Sequence, residues 1–327
     1  MRLDITPPRT VSRKSTASPA HVGRRFAAAG GLLAVFGAAL FGCAGGGSTS
    51  APSTGASGAP PLQVVTTTTV FADIVRNVGG ERVVVASIIP AGVGPEDYEP
   101  RPGDARRLAS AQLLVSNGVG LDDFLADLLR SGSGGSTPRL VLGDGIPTIE
   151  QAGEPNPHFW LDPSLVAKHY LPAIQSKLTE LDPAGADVYR VNGAAYAAAL
   201  ARLDEELLAL VGSLPPANRK LVTFHDAYPY LARHFGFEQV GVIVENVGQE
   251  PTAAELASLV AAVRSTGARA VFGEAQFSPK LAQTLAAEAG ITRVVTTLYN
   301  DALGPPPADS YLGMLRYDIE QIVGALR

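Results

Sequence analysis

Apolar residues recur every three or four positions along the segment from residue 183 to residue 214. The stripe consists of Tyr189, Gly193, Tyr196, Leu200, Leu203, Leu207, Leu210 and Leu214. This spacing predicts one long helix with a single buried face. Asp182 is placed to cap its start, Pro183 suits a first helical position, and Pro215 and Pro216 would end it.

Short runs rich in β-branched residues alternate with helix-like segments on both sides of this helix. They predict strands at 62–69, 82–89, 112–116 and 139–143, and then at 220–224, 238–244, 269–272 and 292–297. Such alternation is typical of parallel sheets covered by helices. We therefore predict an α/β fold with two lobes, residues 62–182 and 215–327, each a parallel sheet flanked by helices. The long helix, residues 183–214, would join them.

The N-terminal region has the pattern of an export signal. Residues 1–25 are polar and basic, an apolar run of roughly 17 residues follows, and Cys43 comes directly after it. So short a run behind positive charge is typical of a signal peptide rather than a membrane span. The residues before Cys43 resemble a bacterial lipobox, and a Gly/Ser/Pro-rich stretch follows. We predict a lipoprotein signal peptide (1–42), lipidation at Cys43 and a flexible tether (43–61); the alternative is a signal anchor with an unmodified cysteine.

Composition excludes several other classes of protein. The formal net charge is −5, and no basic block follows residue 25, so nothing favours nucleic-acid binding. Cys43 is the only cysteine, which rules out an internal disulfide and a cysteine-based metal site. Because the predicted signal peptide and lipidated cysteine imply export and anchoring, the predicted location is extracytoplasmic, beside a membrane.

Candidate ligands follow the predicted strands, where parallel sheets bind small molecules. His158 follows the fourth strand, and His225 directly follows the first strand after the long helix. Glu96 follows the second strand and Asp301 the last. Two imidazoles and two carboxylates would suit Zn²⁺ or Mn²⁺. The remaining histidines are interpreted as a signal-region residue and two surface or packing residues: His21, His169 and His234.

Several stretches together resemble a known family across residues 62–327. They are VVTTTTVFADIVRNVGGERV, DYEPRPGDARRLASAQLLVSNG, PHFWLDPS, LVTFHDAYPYLARHFG, FGEAQFSPKLAQTLAAEAG and DSYLGMLRYDIEQIV. These resemble the metal-binding receptors of bacterial zinc/manganese ABC importers, the solute-binding family with the TroA-like fold. The resemblance implies two lobes joined by one long helix, with a divalent metal held between them by four ligands.

By position, the resemblance implies that His158, His225 and Asp301 are the second, third and fourth ligands. At the first position, in GPEDYEP, Glu96 stands where the family usually has histidine. Glu96 can ligate through oxygen; the alternatives are Asp97, a water molecule, or a site that has lost its metal. A histidine at the third position resembles the zinc receptors, whereas the two-nitrogen, two-carboxylate set resembles the manganese type, and we favour zinc narrowly.

Three other carboxylates have structural interpretations beside functional ones. Glu274 follows a strand and is expected either to orient a ligand imidazole or to be a buried structural carboxylate. Asp162 and Asp226 are expected to cap the helices that follow them.

The expected function is that of a monomeric receptor, not an enzyme, that delivers the metal to the membrane subunit of an ABC permease. Two alternatives stay open at this point. One is a metallohydrolase with Glu96 as general base, and the other is an adhesion or scaffold lipoprotein on the same fold.

Overall fold

The computed structural model describes residues 59–96, 98–130, 136–151, 153–244 and 251–327. The predicted signal peptide, Cys43 and nearly all of the tether lie outside the described residues. Residues 58–327 form one compact unit. Within the described ranges, no helix combines the length and the apolar character that crossing a membrane requires.

The first sheet has four parallel strands in the order β2-β1-β3-β4. Its elements are β1 (Leu62–Thr66), α1 (Thr69–Gly79), β2 (Val83–Ser87), α2 (Pro102–Ser110), β3 (Leu113–Ser116), α3 (Leu125–Arg130) and β4 (Arg139–Val141). The central strands β1 and β3 are buried almost throughout because helices cover both faces, which explains why apolar residues predominate in both. A short antiparallel hairpin, β5 (Glu150–Gln151) and β6 (Glu154–Pro155), follows and was not predicted.

The second sheet repeats this arrangement with the strand order β10-β9-β7-β8, again all parallel. Its elements are β7 (Lys220–His225), α7 (Pro229–Phe235), β8 (Glu238–Val244), α8 (Ala253–Thr266), β9 (Ala270–Glu274), α9 (Lys280–Ala289), β10 (Arg293–Leu298) and α10 (Tyr311–Leu326). The two parallel sheets confirm the predicted α/β fold.

A long helix, α6 (Ala186–Gly212), joins the two sheets, as predicted. Before it, α4 (Pro163–Leu165) passes through one π-helical turn (Val166–Tyr170) into α5 (Leu171–Leu181). α6 packs against α1, α5 and α10, and its apolar face belongs to one core that extends into both lobes. Burial of this face, rather than helix propensity alone, stabilises so long a helix.

The start of α6 differs from the prediction. Asp182 is the N-cap residue of a 3-10 turn (Pro183–Gly185) that precedes α6, with proline at the first position as predicted, but its side chain makes no capping hydrogen bond. The N-cap residue of α6 itself is Gly185. The Asp182 carboxylate instead pairs with the Arg82 guanidinium at 2.5 and 2.7 Å and accepts a hydrogen bond from the Tyr189 hydroxyl at 2.6 Å. The Arg82 contact lowers the pKa of Asp182. Near the other end of the helix, Val211 rather than Leu210 is buried.

The two predicted helix caps have different outcomes. Asp162 does cap α4, since its Oδ1 accepts a hydrogen bond from the backbone N–H two residues later. Helix α7 has no side-chain cap, so the predicted cap by Asp226 is wrong. His234, predicted as a surface or packing residue, lies between Asp162 (Nδ1–Oδ1, 3.1 Å) and Asp204 (Nε2–Oδ1, 2.6 Å). It therefore links α7 to the long helix.

Candidate metal centre

Four separate segments bring the four predicted ligands together. His225 is the last residue of β7, Asp301 lies three residues after β10, His158 precedes α4, and Glu96 lies in the loop between β2 and α2. One potential ligand atom from each lies within 4.8 Å of the others. Glu96 is exposed and the other three are buried. The parallel strands place these residues at the carboxyl ends of both sheets, where the lobes face each other.

Within this cluster, the Nε2 atoms of both histidines face the carboxylate of Asp301. His158 Nε2 lies 3.4 Å from Asp301 Oδ1, and His225 Nε2 lies 3.7 Å from Asp301 Oδ2. Among the described residues, His158 Nε2 and Asp301 Oδ1 are buried and have no hydrogen-bond partner. Leaving such atoms unsatisfied is costly, and a bound cation would satisfy both at once.

Glu274 lies directly behind His225. It is the last residue of β9, is 1% exposed, and its Oε1 lies 3.3 Å from His225 Nδ1. A carboxylate at this nitrogen directs the other ring nitrogen, Nε2, toward the cluster. Burial disfavours the charged imidazole, but the charges of Glu274, Asp301 and Glu96 outweigh it and raise the pKa of His225 to about 9.

Asp301 stays ionised although it is completely buried. Burial alone would raise its pKa, but the close contact with the His158 ring, the charge of His225, and a hydrogen bond from Gln276 together lower it. Gln276 Nε2 donates to Asp301 Oδ2 at 2.7 Å, which leaves Oδ1 available to a cation.

Sequence reasoning missed three amides around the ligands. Asn156 Oδ1 lies 3.0 Å from His158 Nδ1, Asn300 Nδ2 lies 3.2 Å from His225 Nε2, and Gln276 contacts Asp301 as described. Amide side chains carry no charge and match no metal-ligand spacing, so no pattern marked them. Their proximity to ligands along the chain, two residues before His158 and one before Asp301, was the available signal.

Trp160 ties the His158 segment to the Asp301 segment. Its ring centroid lies 5.1 Å from that of His158, and its Nε1 donates to the Asn300 carbonyl at 2.7 Å. The Tyr311 hydroxyl in turn donates to the Trp160 carbonyl at 2.6 Å. These buried contacts fix two segments that carry candidate ligands, one from each lobe, against each other.

An open cavity of about 1050 Å³ leads to the cluster. The acidic side chains that line it are Glu96, Asp123, Glu154 and Asp226. No lysine or arginine is among the described residues that line it. His225, with its raised pKa, also lines the cavity, but the four carboxylates outnumber this one cation. A cleft whose charge is mainly of one sign raises the local concentration of the opposite ion, so this one should attract cations.

The chemistry of the cluster is that of ion capture. Four protein ligands can complete a tetrahedral shell, whereas a catalytic zinc site keeps one position open for water or substrate. The arrangement therefore suits holding an ion rather than activating a substrate.

Known proteins that are similar to this chain in sequence or structure bind metal ions. The chain is 31% identical over 268 residues to a manganese-binding lipoprotein, MntA, of Halalkalibacterium halodurans, covering 81% of this chain and 88% of the relative. It is 32% identical over 273 residues to the iron-binding protein YfeA of Yersinia pestis, covering 81% and 86%. The periplasmic zinc-binding protein TroA from Treponema pallidum superimposes with a TM-score of 0.74 at 28% identity, covering 81% of this chain and 99% of that one.

The family model described as the periplasmic component A of the zinc-uptake complex, ZnuA, matches residues 64–325. Members of this family are solute-binding components of metal transporters rather than enzymes. The chain therefore belongs to the ZnuA family of metal-binding receptors.

Proposed function

We propose that this protein captures one divalent transition metal ion through Glu96, His158, His225 and Asp301 and delivers it to an ABC permease. The observation that carries the proposal is the convergence of four potential ligand atoms within 4.8 Å. Two of them, His158 Nε2 and Asp301 Oδ1, are buried without any other partner among the described residues.

Zinc is the favoured ion. Two imidazole nitrogens suit Zn²⁺, and for a given nitrogen and oxygen site the intrinsic affinity for Zn²⁺ exceeds that for Mn²⁺. The carboxylates of Glu96 and Asp301 would neutralise the charge of the ion. The family model and one structural neighbour are named for zinc, whereas relatives are named for manganese and for iron. The choice of zinc therefore rests on the donor set of this chain.

Glu96 is the ligand best placed to release the ion. It alone among the four is exposed, and it lies on a loop rich in glycine and proline between β2 and α2. The other three are held by buried contacts. Movement of this loop would open the shell without disturbing the core around α6.

The remaining parts of the proposal concern location and organisation. Lipidation of Cys43 would hold the receptor outside the cytoplasm as a monomer on a flexible tether (43–61). The lobes are assigned to residues 62–182 and 215–327. The lipoprotein names of several relatives support this location.

The test is a metal titration of the compact unit that starts at residue 58. Zn²⁺ and Mn²⁺ are titrated into metal-free protein against a competing chelator, with Glu96→Ala, Glu96→His and Asp123→Ala alongside. We expect one tight equivalent, with Zn²⁺ preferred. Glu96→Ala should weaken binding by more than the roughly 10- to 100-fold that loss of an outer-shell partner costs.

Asp123→Ala is the matched control because Asp123 is an exposed carboxylate that lines the same cavity but lies outside the cluster. It should change the affinity less than about threefold, as expected of an exposed charge. Absence of tight binding by the unmodified protein, with recovery in Glu96→His, would show a receptor fold that no longer binds metal. Equal losses in Glu96→Ala and Asp123→Ala would remove Glu96 from the ligand set.

A further inference from the structure

Asn156, which no sequence pattern marked, joins the segments that carry the two proposed histidine ligands. It is buried, lies two residues before His158, and precedes the turn that leads into α4. Its Oδ1 lies 3.1 Å from the His158 backbone nitrogen and 3.0 Å from His158 Nδ1. Its Nδ2 donates to the Asp226 carbonyl at 2.6 Å. One side chain thus contacts the second ligand and the residue that follows the third.

Two independent contacts determine which way the Asn156 amide faces. The His158 backbone N–H can only donate, so the amide oxygen must face it. The Asp226 carbonyl can only accept, so the amide nitrogen must face that side. The orientation of the amide therefore follows from its partners.

This orientation determines the state of the His158 ring. Because the amide oxygen accepts, His158 Nδ1 must carry the hydrogen that it shares with Asn156. In the neutral ring the lone pair then lies on Nε2, the atom 3.4 Å from Asp301 Oδ1. Nε2 is also the buried nitrogen that has no other partner among the described residues.

The same residue sets the separation of the two ligand segments. The Asp226 carbonyl immediately follows His225, so the Asn156 Nδ2 hydrogen bond joins the His158 segment to the end of β7. The Tyr230 hydroxyl supports this link by donating to the Asn156 carbonyl at 2.8 Å. The His158 and His225 rings lie with their centroids 5.4 Å apart.

We propose that Asn156 is a positioning residue for metal capture, which fixes His158 with its Nε2 lone pair toward the ion and joins the two histidine ligand segments across the lobes. The proposal rests on the proposed function, because it assigns a role toward the same ion. Asn156 fixes the His158 ring in the metal-free protein as well, so this part of the proposal can be tested without metal.

The test combines imidazole ¹⁵N NMR of metal-free protein at alkaline pH with the metal titration. In the unmodified protein His158 should show hydrogen on Nδ1 and a bare Nε2. Asn156→Leu keeps the approximate volume but removes the acceptor and the donor. It should yield a mixture of tautomers and weaken Zn²⁺ binding by about 10- to 100-fold, the usual effect of losing an outer-shell partner. Asn156→Asp keeps the acceptor and should preserve the Nδ1–H state.

Tyr230→Phe is the matched control, since it removes a hydrogen bond to the Asn156 backbone but leaves the side-chain amide in place. It should leave the His158 tautomer unchanged. Hydrogen on Nε2 of His158 in the unmodified protein would overturn the proposal, even if Asn156→Leu does not fold. So would an Asn156→Leu protein that melts at a lower temperature but retains both the tautomer and the affinity. If the unmodified protein shows the Nδ1–H state yet binds no metal, the proposed function fails while the positioning of His158 stands.

Discussion

Metal binding should tighten steeply between pH 7 and pH 9, because His225 must lose a proton before it can ligate. The surrounding carboxylates raise the pKa of this buried imidazole from 6.5 to about 9. At pH 7, about two units below this pKa, the His225 ring is protonated. Releasing the proton at that pH costs about 2.7 kcal/mol, at roughly 1.36 kcal/mol per unit. The apparent affinity at pH 7 should be about 100-fold weaker than above pH 9.

The same shift affects the stability of the metal-free protein. A pKa raised from 6.5 to about 9 means that the folded state binds this proton more tightly than the unfolded chain does. The resulting stabilisation, about 3 kcal/mol, is fully present below about pH 6.5 and is lost as the pH rises through about 9. Metal-free protein should therefore melt at progressively lower temperature across that window.

The assay is a chelator competition at several pH values, corrected for protonation of the chelator itself. Calorimetry in buffers of different ionisation enthalpy counts the protons released per ion, and about one is expected at pH 7. His234→Gln is the control, because His234 also has a raised pKa but pairs with Asp162 and Asp204 instead of the ligand cluster. It should leave the pH dependence of metal affinity unchanged. An affinity that is flat between pH 7 and pH 9, with no proton released, would refute the reasoning.

Three further predictions follow from the same structure. Glu274→Gln removes the charge that contributes most to the raised pKa of His225, so metal affinity should stop rising at a lower pH in the chelator competition. An unchanged pH at which the affinity levels off would contradict this role of Glu274. Leu207→Ala should destabilise the protein by about 2–5 kcal/mol in denaturant unfolding, because Leu207 is 1% exposed, whereas Leu208→Ala, at 39% exposure, should cost under about 1 kcal/mol. Neutralising two exposed acids that line the cavity, Asp123 and Glu154, should slow metal association in stopped-flow at low salt, and the difference should vanish at high salt.

Local patterns in the sequence were sufficient to predict the long helix and the strands of the two parallel sheets, although not the short β5–β6 hairpin. The three-and-four spacing from Tyr189 to Leu207 predicted α6, because an amphipathic helix must place its apolar residues on one face. Runs of β-branched residues predicted the eight strands of the two parallel sheets, since a parallel sheet covered on both faces needs apolar residues throughout. The four candidate ligands were also visible, because each follows a strand and carries a donor atom that metals use.

Tertiary structure alone decided how these donors meet. His158 and His225 stand far apart in the chain, and only the packing of the lobes against α6 brings their rings to 5.4 Å. Asn156 was not predicted, since its role depends on a carbonyl 70 residues away. The pairing of the Asp182 carboxylate with Arg82 was not predicted either, because Arg82 lies 100 residues earlier. Local sequence specifies backbone conformation and periodicity, whereas hydrogen bonds between distant segments depend on the packing of the whole chain.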